Sequence, residues 1–317
     1  MIARTAFALL LVAQVAAAHD VATFSIVARD PQTGEMGVAV ASRFFSVGSV
    51  VPWARAKAGA IATQANANVA YGPHGLDLLE RGANAKQTLD ILLHSDPDIS
   101  ARQVGIVAAD GSSVSYTGPN CNAWAGGRSG PNYAVQGNIL AGEAVVAALE
   151  KTFLETKGTL AHRMYTALVA GDAAGGDSRG RQSAAMIIVK EGAGYNGGSD
   201  RAIDIRVDDH PEPFHELGRL LNYAEMNYAW NEGWTAFTHK HFAEAYTAQQ
   251  RAVALAPENP EVLYDMAVIS LAAGHRDESL ANVRKALSLN PKLKKQASVD
   301  HDLDALRNDA QFLELTR

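Results

Sequence analysis

From Thr23 to about Ala65 apolar and polar side chains run in twos. In "TFSIVARD", Phe24, Ile26 and Ala28 alternate with Thr23, Ser25 and Val27, the period of a strand whose two faces meet different surroundings. "PQTG" then offers Pro and Gly for a turn and "EMGVAVASR" a return strand, so a hairpin is expected. After "FFSVGSVVPWARAK", the run "AGAIATQA" predicts a third short strand. The period then changes. Leu76, Leu79, Thr88, Leu89, Leu92 and Leu93 recur at helical spacing, with Gly82 dividing two helices. "RQVGIVAADGSSVSYTG" reads as a second hairpin turning at "DG", and "NYAVQGN" as a further strand. "GEAVVAALEKTFLE" and "TLAHRMYTALVAG" are amphipathic helices, "SAAMIIVKEG" a buried strand and "AIDIRVDD" its hairpin partner. Antiparallel hairpins interleaved with helix pairs predict an α+β domain over residues 19–220. Two facing sheets covered by helices would make it an αββα four-layer sandwich.

Beyond about Phe214 the pattern is helical throughout. Ala252 and Ala286 stand in the same relation to Pro257 and Pro291, 34 residues apart, which is the tetratricopeptide period. Tyr264, Ala267 and Leu271 give one inward stripe, and Leu280, Val283 and Leu287 the next. Residues 221–317 are therefore expected to form a tetratricopeptide-like helical domain. Two repeats are fewer than such arrays need, so they should lean on the first domain or on a protein partner.

Composition narrows the function classes. The formal net charge of −6 excludes a general nucleic-acid binder, which needs a basic surface. The first eighteen residues read as a signal peptide: Arg4, then the apolar run Ala6 to Val15, then a small-residue site at Ala16 to Ala18. A periplasmic or secreted protein is expected, with no membrane span after the leader. The lone Cys121 cannot form an internal disulfide, and its Gly/Pro/Asn surroundings read as a plain loop.

A strand–turn–strand unit headed by Thr, followed by helices, is similar to the start of the N-terminal-nucleophile (Ntn) hydrolases. "TFSIVARDPQTGEMGVAVASR" looks like the first hairpin of a proteasome-type subunit. The longer series "TFSIVARD…GVAVASR…GAIATQA…RQVG…YTG…QGN…GGDSRGRQSAA…RVDDHP" resembles the bacterial family known as domain of unknown function 1028, from Thr23 to about Leu220. That family is placed in the Ntn superfamily, but its reaction is not established.

The resemblance implies a chemistry. A terminal threonine can use its own α-amino group as the base for its hydroxyl, so one residue supplies nucleophile and base. Thr23 would be that nucleophile. The stretch "QGN" would carry oxyanion donors, Gly137 and Asn138, beside Gln136. "GGDSRG" would supply Asp177 to orient the amine. Ser42, Arg43, Gln136, Arg179 and Ser183 complete the set as candidate substrate-binding residues. A Gly-Asn pair is also a common turn, and "DSRG" also reads as a solvated loop. The mechanism needs no cofactor. No metal site is expected either, because the prolines in "DDHPEPFHE" break the helical His spacing of a zinc pair.

The sequence departs from the proteasome pattern in three ways. Ala41 stands where those subunits have an acid before "SR". No lysine is placed on the third strand, although Arg55 and Lys57 are close by. His19 to Ala22 would remain in front of Thr23 after leader removal, and an acylated amine cannot act as a base. The expected activity is thus hydrolysis of a small amide or peptide-like molecule, conditional on a cut between Ala22 and Thr23. The alternative is a non-catalytic binding protein for a peptide or cell-wall fragment, its helical tail recruiting a protein partner. A homo-oligomer is expected in either case.

Overall fold

The computed structural model describes residues 23–317, so the expected leader and the Ala22–Thr23 bond lie outside the described residues. Within these bounds the protein is a mixed α/β structure with two antiparallel sheets and a C-terminal helical region.

The first hairpin forms where the alternation placed it, as β1 (Thr23–Arg29) and β2 (Met36–Ser42), joined through Gly34 at φ +75°. A short strand unmarked by alternation follows, β3 (Pro52–Arg55), then β4 (Gly59–Ala65). Helices α1 (Tyr71–Glu80) and α2 (Ala85–His94) flank Gly82, and α2 begins with a capping box between Asn84 and Gln87. Next come β5 (Arg102–Ala108), β6 (Ser113–Thr117), β7 (Gly126–Gly130) and β8 (Tyr133–Asn138). Strand β7, "GGRSG", carries no mark in the sequence pattern, because three glycines and a half-buried arginine give no apolar alternation. It is an edge strand, held by its pairing to β8. Helices α3 (Glu143–Glu155) and α4 (Leu160–Ala173) precede β9 (Ser183–Val189) and β10 (Arg201–Val207).

One sheet has the order β10-β9-β2-β1-β8-β7 and the other β3-β4-β5-β6. Alternation gives each strand two environments. Phe24, Ile26 and Ala28 point to a core shared with α3 and α4, which includes Leu149, Met164 and Leu168. Each such side chain contributes roughly 1.5–3 kcal/mol of burial. Val27, Val38, Val40 and Ala134 point the other way and meet Ala60, Ala62 and Val107 of the second sheet. The outer face of that sheet, with Ile61, Val104 and Ile106, packs against Leu76, Leu79, Leu89 and Leu92 of α1 and α2.

Helix α5 (Pro213–Thr238) runs through the expected boundary at residue 220. Its first half, with Phe214, Leu217 and Leu221, belongs to the α3/α4 core. Its second half, with Met226 and Ala229, packs on Ala252 and Val262. Helices α6 (Phe242–Leu255), α7 (Pro260–Ala272) and α8 (Arg276–Leu289) continue the tail, with the short α9 (Leu293–Ala297) and α10 (Ala310–Thr316) after them. Helices α6 and α8 start and stop 34 residues apart, each after a left-handed residue, Lys240 at φ +63° and Gly274 at φ +89°. The expected stripes are inward: Tyr264, Ala267, Leu280, Val283 and Leu287 share one core, with Leu271 at its margin.

Candidate active site

Thr23 opens β1, a strand bounded on both sides in the six-stranded sheet. It pairs in register with Ser42 on β2 and Asn138 on β8, while Ser42 pairs with Ser183 on β9. Ser183, Ser42, Thr23 and Asn138 thus form one rung across four neighbouring strands. All four are buried. The next rung on this face is Ala185, Val40, Ser25 and Gln136, and the third is Ile187, Val38, Val27 and Ala134. The space between the sheets therefore grades from polar at the Thr23 end to apolar.

The second sheet has the matching gradient. Gln64 pairs with Gln103, Ala62 with Gly105, and Ala60 with Val107. The two glutamines meet the polar rungs of the first sheet in one hydrogen-bonded network. Thr23 Oγ1 donates to Ser42 Oγ at 3.2 Å. Gln64 Nε2 donates to the Thr23 carbonyl at 3.3 Å and to Gln103 Oε1 at 2.8 Å. Ser25 Oγ donates to Gln64 Oε1 at 2.6 Å and accepts from Gln136 Nε2 at 2.7 Å. Asn138 Nδ2 donates to Gln103 Oε1 at 2.9 Å, and Gln103 Nε2 donates to the Gly137 carbonyl at 2.7 Å. Gly105 makes room for this layer, since a Cβ there would lie 2.2 Å from Gln136 Oε1.

The network is built from hydroxyls and carboxamides, which suits its burial: neutral groups exact a smaller desolvation cost than ions. Among these atoms Gln136 Oε1 alone is buried without a hydrogen-bond partner among the described residues. Of the sequence candidates, Thr23, Ser42 and Asn138 are brought together on one rung. Gln136 lies one rung deeper and touches Ser25. Gly137 pairs with Phe24, so its α-carbon faces Leu140 on the helix side. Ser183 Oγ donates to the Phe44 carbonyl at 2.5 Å and accepts from Val47 N–H at 3.2 Å, which fixes the segment after β2.

Asp177 closes the end of the rung. Its loop bridges to Leu140, two residues past Asn138. One carboxylate oxygen, Oδ2, accepts from Arg43 N–H at 2.7 Å and Arg179 Nη2 at 3.1 Å. The other, Oδ1, accepts from Arg179 N–H at 2.9 Å and Nε at 3.2 Å. Four donors fill the roughly four lone-pair positions of a carboxylate. In this arrangement Asp177 is engaged in holding Arg43 and Arg179.

Arg55 and Lys57 face elsewhere. Arg55 ends β3 opposite Gly59, five residues along β4 from Gln64, or about 16 Å at strand rise. Its guanidinium pairs with Asp77 at 2.9 Å and Glu80 at 2.7 Å on α1. Lys57 pairs with Glu191 at the surface. Gln64 and Gln103 were not among the candidate residues. A glutamine closing an otherwise apolar strand face in "GAIATQA" and "RQVG" was the available signal, but which face meets which depends on how the sheets pack.

Two facing antiparallel sheets, with a threonine on the polar rung between them and helices outside, define the class: a mixed α/β protein with its polar centre between the sheets. The chain belongs to the family of unknown function DUF1028, whose model matches residues 23–217. Among solved structures, it is similar to the crystal structure of protein SPO2555 from Silicibacter pomeroyi, a DUF1028 protein. The two are 27% identical with a TM-score of 0.59, over 64% of this chain and 89% of that one. No curated protein matches the chain.

Proposed function

We propose that this protein is an Ntn-type amidohydrolase, active once the Ala22–Thr23 bond is cut and cleaving a small amide or peptide-like substrate. The observation that carries the reading is the position of Thr23. It heads a central strand, turns its hydroxyl toward Ser42 and stands opposite Asn138 at the polar end of the inter-sheet layer. The family match also begins at this residue. The order of helices, two facing sheets and helices supports the αββα sandwich of that superfamily, and the 34-residue offset of α6 and α8 supports a tetratricopeptide-like tail that docks a protein.

In this mechanism the freed amine takes the hydroxyl proton as Oγ1 attacks the amide carbonyl and returns it to the leaving nitrogen as the C–N bond breaks. Water, deprotonated by the same amine, then cleaves the acyl ester and restores the Thr23 hydroxyl. Asn138 Nδ2 supplies an oxyanion donor worth about 10²–10³ in rate, whereas Gly137, paired on both sides within β8, keeps its N–H in the sheet. Ser42 orients the nucleophile. Asp177 acts as a positioning residue through Arg43 and Arg179. With Ala41 in place of an acid and Arg55 and Lys57 turned away, the amine works without an Asp–Lys pair. The rate should therefore rise with pH as that amine loses its proton.

The second reading is a binding protein that keeps the scaffold without turnover. The neutral character of the network and the filled carboxylate of Asp177 favour it. Intact-mass analysis of mature protein, with turnover of an amide panel by wild type, Thr23→Ser and Thr23→Ala, separates the two. Hydrolysis predicts a chain starting at Thr23, residual activity in Thr23→Ser and none in Thr23→Ala. A mature chain starting upstream of Thr23, or equal turnover by Thr23→Ala, would overturn it.

A further inference from the structure

The geometry points to a carboxylate on the substrate, recognised by Arg43 at the rim of the Thr23 rung. This rests on the proposed site and names the chemical class of molecule that fills it. Arg43 directly follows Ser42, so the two α-carbons are about 3.8 Å apart. Its side chain is exposed, yet its base is held at two points. The backbone N–H donates to Asp177 Oδ2 at 2.7 Å, and Nη1 donates to the Arg179 carbonyl at 2.9 Å.

The loop is shaped around that guanidinium. Gly180 takes φ +106°, a conformation that favours glycine, and a Cβ there would come within 3.2 Å of Arg43 Nη1. Neighbouring charges on this loop are matched among themselves. Asp177 takes Arg179, while Arg181 bridges Asp172 at 2.7 Å and Glu212 at 2.8 Å. Among the described residues no carboxylate lies within 4.0 Å of the Arg43 guanidinium, and Asp177, Asp172 and Glu212 are already engaged. Asp208 accepts from Oγ of Ser46, three residues past Arg43, at 2.7 Å.

A guanidinium held at Nη1 by one backbone carbonyl, with Nε and Nη2 left for an incoming partner, suits the fork geometry of carboxylate recognition. Held on the loop whose Asp177 closes the rung, one residue past Ser42, it would bind an acidic group of a substrate seated at Thr23. Arg43 is then a specificity residue, and Asp177 and Gly180 position it.

The test uses two independent readouts on mature protein. Calorimetry compares succinate with the neutral succinamide, on wild type, Arg43→Gln and Arg43→Lys. Succinate should bind and succinamide should not. Affinity should fall at least tenfold in Arg43→Gln, with partial recovery in Arg43→Lys and weakening with added salt. Absence of succinate binding, or equal affinity in Arg43→Gln, overturns the proposal. Turnover of succinyl-p-nitroanilide against butyryl-p-nitroanilide then separates this inference from the hydrolase reading. An acidic preference of at least tenfold that collapses in Arg43→Gln supports both. Hydrolysis without acidic preference overturns carboxylate recognition alone. Succinate binding through Arg43 with neither anilide hydrolysed overturns the hydrolase reading alone.

Discussion

Replacing Gln103 with leucine should loosen the whole polar end of the inter-sheet layer. The two side chains have similar volume, so the change is chiefly one of hydrogen bonding. Leucine would leave Asn138 Nδ2 without its 2.9 Å acceptor and the Gly137 carbonyl without its 2.7 Å donor. Gln64 Nε2 would lose a 2.8 Å bond but keep the Thr23 carbonyl at 3.3 Å. Each buried group left unpaired costs about 1–3 kcal/mol. Two full losses and one partial loss, with the half-buried Thr117 hydroxyl and Gly126 carbonyl turning to solvent and some apolar burial as offset, give about 4 kcal/mol. Set against a typical total of about 5–15 kcal/mol, the variant stays folded but weakened. Thr117→Val is the matched control, because it removes only the 2.9 Å acceptor of Gln103 Nε2, which still reaches the Gly126 and Gly137 carbonyls. It should cost about 1 kcal/mol. Urea unfolding followed by tryptophan fluorescence measures both. A Gln103→Leu effect below 1 kcal/mol, or one no larger than that of Thr117→Val, would refute the claim that Gln103 joins the two sheets here.

Two acidic groups should respond to pH in opposite directions. Asp96 is buried and accepts from Arg102, Asn68, Tyr71 and the Asp98 N–H, which hold its carboxyl far below the usual range, Arg102 most strongly. Its contribution is complete above the unfolded value of about 3.9 and fades as pH falls below it. Asp96→Asn should cost roughly 3 kcal/mol at pH 7, near the low end for a broken buried pair because Asp98 still reaches Arg102 at 3.4 Å. The difference from wild type should shrink on acidification, and a pH-independent difference would count against the ion pair. Asp265 behaves in reverse. Burial pushes its carboxyl up to about 6, despite the 2.7 Å bond from Trp230 Nε1. Wild-type stability relative to Asp265→Asn should therefore fall as pH rises from about 4 to 6, then level off. Melting temperatures of the pair across that range check it, and parallel curves would exclude the effect.

The chain by itself determined most of the elements of the first domain, because period two and period 3.6 are local properties of the side-chain pattern. The three hairpins, the break at Gly82 and the 34-residue offset in the tail were legible in that way. Strands β3 and β7 were not. The first is four residues long, and the second is glycine-rich at a sheet edge, so pairing rather than alternation makes them strands. Helix α5 carried no mark of its double role, since packing on both halves of the molecule, and not its own pattern, joins them. At the site, Thr23 and Asn138 could be picked from the sequence, but their shared rung with Ser42 and Ser183 is a matter of strand register. Gln64 and Gln103 became partners of that rung only when one sheet was laid on the other. Hydrogen bonds between sheets join residues up to 41 positions apart, as Gln64 and Thr23 are, and no local periodicity encodes that distance. Tertiary packing also decided what Asp177 holds, the backbone N–H of Arg43 and the guanidinium of Arg179.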